Sequence, residues 1–270
     1  MNYIFFGTDN FSVIVLETLK QIGILPMLIV TNPDRPKGRK LILTPPPVKI
    51  WAEENFIPFL QPEKLDDDFK FQISYFRFEL FLTASYGKII PKGIIELPKH
   101  GSINIHPSLL PKLRGPAPIQ ETILRNEKPA VTIMEMNEKM DQGPIIAQKE
   151  IEMEEWPIST PRLNDMLAKA GAELFSEIIS DYLAGKVKAE KQNDSQATYT
   201  KMIKKTDGLL NLEDDPEENY RKFLAYTPWP SVYFYKNNKR IKITDADFVD
   251  GKFAIKKVIP EGEKEIDYSN

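Results

Sequence analysis

The sequence contains no cysteine. That excludes disulfides, a thiolate nucleophile and any thiolate metal site. Histidine is scarce: there are two, His100 and His106, with no carboxylates spaced around them as metal ligands, so no metal is expected. Positive charge is not in excess, since 36 Lys and Arg against 39 Asp and Glu leave a net charge of −3. A uniformly basic nucleic-acid binder is thereby excluded, and any RNA contact has to come from local patches. No apolar run reaches the ~20 residues needed to cross a bilayer. The amino terminus, MNYIFFGTDN, has no basic segment followed by a long apolar one. A cytoplasmic protein without membrane contact, acting as a monomer, is expected. There is no visible internal repeat, and 270 residues suffice for one large domain and a small one.

What the chain does have is concentrated in one stretch, Asn104 to Ile119, which reads NIHPSLLPKLRGPAPI. It mixes an amide, an imidazole, a hydroxyl and two cations with prolines and a glycine, and makes a poor helix and a poor central strand. The residues just before it alternate as a strand, with Ile103 and Ile105 on one face and Ser102 and Asn104 on the other. Asn104 and His106 therefore point the same way off the strand, which Pro107 ends because it cannot donate to a ladder. Pro111, Gly115, Pro116 and Pro118 restrict the loop until a helix starts near Ala117. A stiff loop after a strand holds polar groups at low entropic cost, which suits catalysis. A lone histidine is more often structural; Asn104 two residues earlier and the fixed loop shift the balance toward a site. A second stretch joins it: Val131 to Met136 alternates as a strand, and the turn from Met140 to Pro144 presents Asp141 beside Gly143.

The rest of the chain alternates strands and helices. Tyr3 to Phe6 is an apolar run ending at Gly7, as a buried strand feeding a tight turn would be. Asp9 or Asn10 caps a helix with Phe11, Ile14, Val15, Leu19 and Ile22 on one face, and a strand from Leu25 to Thr31 follows. Strand, helix and strand of this length imply a right-handed crossover and a parallel sheet. Gly7-Thr8-Asp9 lacks the three-glycine spacing of a dinucleotide site. Between Pro33 and Lys49, the cations Arg35, Lys37, Arg39, Lys40 and Lys49 face a single acid, Asp34, in a proline-rich segment expected to be a mobile or extended loop. Such a run is either a solvated face or a complement to phosphates. Tyr86, Gly87 and Lys88 follow the strand Phe78 to Ser85 at the end where open α/β sheets bind ligands. A long helix with Thr160 as its cap and Pro161 at its first position runs to Gly185 and closes a domain of residues 1–185. The polar, aperiodic stretch that follows reads as a linker over 186–200. Residues 201–270 then hold a helix from Asp215 to Pro228 and three strands, turned at Asn237-Asn238 and Asp250-Gly251.

Several of these segments, in this order, resemble the folate-dependent formyltransferases: FFGTDNF ending at Phe11, NPDRPKGRK from Asn32, SYGKIIPK from Ser85, SLLPKLRGPAPI from Ser108, Asp141 to Gly143 after the VTIMEM strand, and TPWP from Thr227. The resemblance covers nearly the whole chain. It implies an α/β formyltransferase fold, a Rossmann-like, doubly wound, mainly parallel sheet, followed by a small, shortened OB-like β-barrel domain. It implies 10-formyltetrahydrofolate as formyl donor and initiator methionyl-tRNA as acceptor. It assigns catalysis to Asn104, His106 and Asp141, and a folate pocket to the backbone of Tyr86, Gly87, Lys88, Ile89 and Ile90, with Ser108, Leu109, Leu110 and Pro111 opposite. Phe11 would lie near the methionyl side chain, and Arg35, Lys37, Arg39 and Lys40 would meet the acceptor end of the tRNA, with Arg39 as the key arginine. Leu41 and Ile42 stand where many relatives carry lysines, which implies fewer phosphate contacts and a shallower salt dependence. Lys236, Lys239, Arg240, Lys242, Lys256 and Lys257 would give the small domain a basic face.

Formyl transfer to an amine requires attack at a carbonyl, a tetrahedral oxyanion, and movement of a proton from the attacking nitrogen to the leaving one. Asn104 and His106 are donors for that oxyanion, and Asp141 would orient His106 and help carry the proton through water. No covalent intermediate is needed. Two other readings stay open: the same core acting on a sugar-nucleotide or ribonucleotide amine, and a folate- or tRNA-binding module without catalysis.

Overall fold

The computed structural model describes residues 1–38 and 40–268. The first half of the chain holds β1 (Tyr3–Gly7), α1 (Asn10–Gln21), β2 (Leu28–Val30), β3 (Arg35–Lys37), β4 (Ile42–Thr44), α2 (Pro47–Glu54), β5 (Phe59–Leu60), α3 (Asp67–Ile73), β6 (Leu80–Ala84) and α4 (Lys92–Ile95). Then come β7 (Ser102–His106), α5 (Pro118–Leu124), β8 (Ala130–Glu135), β9 (Ile145–Glu150) and α6 (Thr160–Leu183). The remainder holds α7 (Pro216–Tyr226), β10 (Tyr233–Lys236), β11 (Lys239–Val249), β12 (Lys252–Pro260) and β13 (Ile266–Asp267).

The chain divides into two compact units. The first comprises Met1–Arg114, Pro129–Ile151 and Asp165–Thr198. Its centre is a seven-stranded sheet in the order β5-β2-β1-β6-β7-β8-β9. The pairs from β5 to β7 are parallel, while β8 and β9 are antiparallel additions at one side. β1 and β6 are buried throughout and, apart from Thr83, apolar without alternation, the signature of strands covered on both faces. On one face Phe6 stacks near Phe69 of α3, Phe81 and Tyr86, with ring centroids 6.2, 5.0 and 5.4 Å away. On the other, the Tyr3 ring meets Phe175 of α6 at 6.4 Å. Each such buried ring stabilises the fold by about 1.5–3 kcal/mol. The cap on α1 is Asp9, whose carboxylate accepts from the Ser12 amide.

Three expectations change. The loop 33–49 is partly a hairpin: Arg35 pairs with Thr44, Pro36 with Leu43 and Lys37 with Ile42. Gly38, at φ +71°, supplies the left-handed residue that lets the chain turn back. Thr160 begins α6, but its hydroxyl donates to the Ala225 carbonyl. The span 186–200, expected as a linker, is fastened to the first unit as far as Thr198. Glu190 exchanges two backbone hydrogen bonds of 2.8 Å with Ile145, and Thr198 accepts from the Leu113 and Arg114 amides. Hydrogen bonds rather than apolar periodicity hold this strap down, so its polarity disguises it.

The second unit comprises Gly115–Lys128, Glu152–Asn164 and residues from Tyr199 onward. α7, capped by Asp215, packs its aromatic face on an antiparallel sheet ordered β10-β11-β12-β13, with Tyr220, Phe223, Phe248 and Phe253 forming the ring cluster. Asn237 and Asn238 turn β10 into β11 at φ +53° and +60°, the geometry of a tight hairpin. β13 is a fourth strand beyond the three expected. Among the described residues no helix is long and apolar enough to cross a membrane.

Candidate active site

β7 ends at His106 because Pro107 follows, and β6 ends beside it at Ala84. In this register Asn104 lies between Thr83 of β6 and Met134 of β8, and His106 lies opposite Thr132. These positions are the carboxyl edge of the parallel strands, where such sheets bind ligands. The Asn104 side chain is half-buried and makes no hydrogen bond among the described residues, so its amide is available to a substrate. His106 is buried, and its Nε2 lies 3.1 Å from the Leu113 carbonyl oxygen. A carbonyl only accepts, so Nε2 carries the hydrogen and Nδ1 is the nitrogen left for other contacts. Nδ1 faces Asp141 Oδ1 at 3.7 Å, too long for a direct hydrogen bond.

The loop after His106 is held from below. The Thr132 hydroxyl donates to the Ser108 carbonyl at 2.7 Å and accepts from the Leu110 amide and the Gln148 side chain. Gln148 also donates to the Leu110 carbonyl at 2.8 Å, and Ser108 Oγ donates to the Lys112 carbonyl. Thr132 thus uses one donor and two acceptor sites, which saturates a hydroxyl.

Asp141 adopts a left-handed φ of +54° in the turn between β8 and β9. Gly143 is obligatory there, because a Cβ would stand 1.7 Å from the Glu135 carbonyl oxygen. Gln192 secures this turn, its Nε2 donating to the Asp141 carbonyl at 3.0 Å and to the Gly143 carbonyl at 2.7 Å. Arg114, 1% exposed, donates through Nε and Nη2 to Gln192 Oε1 at 3.0 and 2.7 Å. Its Nη2 also meets Asp194 at 2.8 Å, and that hydrogen bond holds the Asp194 carboxyl below the usual range. Gln192 carries no signal in the sequence, since it lies in an aperiodic polar stretch. Arg114 carries a weak one, as a cation inside the constrained loop.

The expected folate residues divide by side-chain direction. Tyr86 and Ile90 are buried in the core, and burial pushes the Tyr86 phenol up to about 12. Those two can offer only backbone to a ligand. Gly87 takes φ +79°, and Ile89 is 79% exposed. Lys88 donates to the Pro62 and Glu63 carbonyls, and desolvation lowers its ammonium pKa against the opposing pull of Glu63. Ser108 and Leu110 are buried, Leu109 and Pro111 half-buried. Among the expected tRNA contacts, Phe11 is 3% exposed, hence a core residue. Arg35 is exposed and paired with Glu63 at 2.6 Å, while Lys37 and Lys40 are exposed on the hairpin. Arg39 lies outside the described residues.

Comparison with known proteins accords with this geometry. The family model described as "Formyl transferase" matches residues 1–179, and that described as "Formyl transferase, C-terminal domain" matches residues 202–267. The methionyl-tRNA formyltransferase of Bacillus velezensis is 43% identical over 252 residues, covering 92% of this chain and 79% of that protein. Its counterpart in Bacillus subtilis is 44% identical over 243 residues, covering 89% and 76%. The structure of methionyl-tRNA formyltransferase from Clostridium thermocellum superposes with a TM-score of 0.65 at 17% identity, covering 99% of this chain and 100% of that one. A sugar N-formyltransferase from Shewanella sp FDAARGOS_354 gives 0.68 at 18% identity, covering 93% and 99%. At those identities the two structures share a fold and nothing finer. The sequence relatives carry the finer assignment: the chain belongs to the formyl transferase family, in the branch of the methionyl-tRNA formyltransferases.

Proposed function

We propose that this site moves the formyl group of 10-formyltetrahydrofolate onto the α-amino group of methionyl-tRNA, with initiator tRNA as the acceptor. The observation that carries the reading is the His106–Asp141 pair, one imidazole nitrogen fixed and the other facing a carboxylate, beside the unengaged Asn104 amide. The neutral amine attacks the formyl carbon, and a new C–N bond forms as the carbonyl becomes an oxyanion. Asn104 donates to that oxyanion, a contact worth about 3 kcal/mol of barrier. His106 donates from Nδ1 when that nitrogen carries a proton, and Asp141 Oδ1 faces it at 3.7 Å. The proton on the attacking nitrogen passes through water at Asp141 to N10 of the folate, the C–N10 bond breaks, and tetrahydrofolate leaves.

The backbone from Tyr86 to Ile90, with Ser108 to Pro111 opposite, is our candidate for the pterin pocket. The hairpin of β3 and β4, with Arg35, Lys37 and Lys40, is our candidate for the RNA contact, and Arg39 joins it by its place in the sequence. A second basic and aromatic surface supports this reading: the Arg240 guanidinium lies 4.0 Å from the Tyr233 ring centroid, next to Tyr235. Phe11, being core, would shape the methionyl pocket only through packing. The deciding experiment offers the purified protein 10-formyltetrahydrofolate with methionyl-tRNA, glycinamide ribonucleotide and an amino-sugar nucleotide in parallel. Formylation of the tRNA alone is expected; turnover of a small amine with silence on tRNA would sink the acceptor assignment and keep the chemistry.

A further inference from the structure

We propose that Gln192, held in place by Arg114, is a positioning residue for the reaction and sets the spacing of His106 and Asp141. The proposal rests on the catalytic reading above. Its basis is a closed circuit of contacts. His106 Nε2 donates to the carbonyl of Leu113; the next residue, Arg114, grips the Gln192 oxygen; the Gln192 nitrogen grips the carbonyls of Asp141 and Gly143; and Asp141 Oδ1 faces His106 Nδ1. The imidazole and the carboxylate are thus both referred to one dipeptide, Leu113-Arg114. Displacing the imidazole or the backbone that carries the carboxylate requires breaking a hydrogen bond in the circuit.

The chemistry of the two side chains leaves no ambiguity of orientation. A guanidinium has donors only, so the end of Gln192 that it touches is the oxygen, and the amide nitrogen must face the turn. Gln192 is 5% exposed. A buried amide is used for its two-sided hydrogen bonding, which a hydrophobic residue of the same volume lacks. The guanidinium charge, costly to bury alone, is offset by Asp194 and the Gln192 oxygen. The backbone of this strap adds a second tie, since Thr198 accepts from the amides of Leu113 and Arg114 at 2.9 Å each. The turn puts a non-glycine residue, Asp141, at positive φ, a conformation that the surrounding structure has to hold.

The test uses two replacements. Gln192→Glu keeps the acceptor for Arg114, and makes it an ion pair, while deleting both donors to the turn. Gln192→Met keeps the length and deletes every hydrogen bond. Expected is a fall in kcat of roughly 10- to 100-fold in both, the scale of a misplacement of about 1 Å. KM for folate and for the acceptor should hold; both variants should melt below the wild type, having lost the two hydrogen bonds to the turn, and circular dichroism at the assay temperature checks that the protein assayed is folded. Combining Gln192→Glu with Asp141→Asn should be no slower than Asp141→Asn alone, because the amide acts through that carboxylate. Wild-type kcat in Gln192→Glu, or a double variant slower by the product of the single effects, would overturn the positioning role while leaving the catalytic reading intact. Full activity in a folded Asp141→Asn would overturn both.

Discussion

At the residue scale, the proposed site rests on three side chains whose freedom has been removed by different means. Asn104 is fixed by the ladders of β7, His106 by the Leu113 carbonyl, and Asp141 by a strained turn. Asn104→Ala should lower kcat by about 10²–10³-fold, the usual worth of one oxyanion donor. Its melting temperature should stay unchanged, because the lost amide makes no hydrogen bond among the described residues; circular dichroism and steady-state kinetics on one preparation decide this. Gly143→Ala should act differently and lose both stability and activity, since the obstacle to a Cβ is backbone, the Glu135 carbonyl, which cannot rotate aside. A Gly143→Ala protein with native melting temperature and turnover would show that the turn tolerates displacement. Asn104 and His106 stand out in the sequence as candidates, whereas Asp141, in an Asp-x-Gly turn, is a weak signal by itself. The alternation of Ile103 and Ile105 puts Asn104 and His106 on one side, and Pro107 marks the strand's end. Gln192 is not legible there, because a buried hydrogen-bonding amide leaves no periodic trace in a sequence.

At the scale of elements, the strands of the large sheet are legible because runs such as Tyr3–Phe6 and Leu80–Ala84 are, apart from Thr83, apolar on both faces. The hairpin of β3 and β4 is not. Its residues are exposed and rich in proline, so neither face carries a pattern. At its root, Asp34 accepts from Gln61 and pairs with Lys49 at 2.8 Å, and these contacts hold its carboxyl below the usual range, with the Gln61 hydrogen bond the larger cause. The sign follows from linkage: a depressed folded value means the contact stabilises fully above the ordinary carboxylate range and is lost as pH falls through the folded value. Amide protection factors in the hairpin should therefore drop on acidification, and Asp34→Asn should show the low protection already at pH 7. Equal protection at both pH values in the wild type would remove Asp34 from the account. Elsewhere, α6 reaches β7 through Gly171, where a Cβ would stand 2.5 Å from Ile105 Cγ2. Gly171→Val should destabilise by about 1–3 kcal/mol through overpacking, outweighing any gain in helix propensity, and denaturant titration measures it.

At the scale of the whole molecule, a net charge of −3 means that an anionic partner is met by patches and not by the general field. The exposed apolar run Leu41, Ile42 and Leu43 at the hairpin leaves Lys37 and Lys40 among the few cations there. Replacing both lysines with alanine should make the dependence of tRNA affinity on salt shallower by about 1–2 in log–log slope, read from filter binding at several salt concentrations. An unchanged slope would place the phosphate contacts elsewhere.

The strap from Glu190 to Thr198 gives the division of the chain a meaning that no boundary drawn from sequence captures. The family model for the large domain ends at residue 179, yet the working unit runs on to Thr198. A gene fragment cut between residue 179 and Gln192 would encode Asn104, His106 and Asp141 and omit the amide that we propose positions the last two. Its product would retain the vocabulary of the chemistry and lose its grammar.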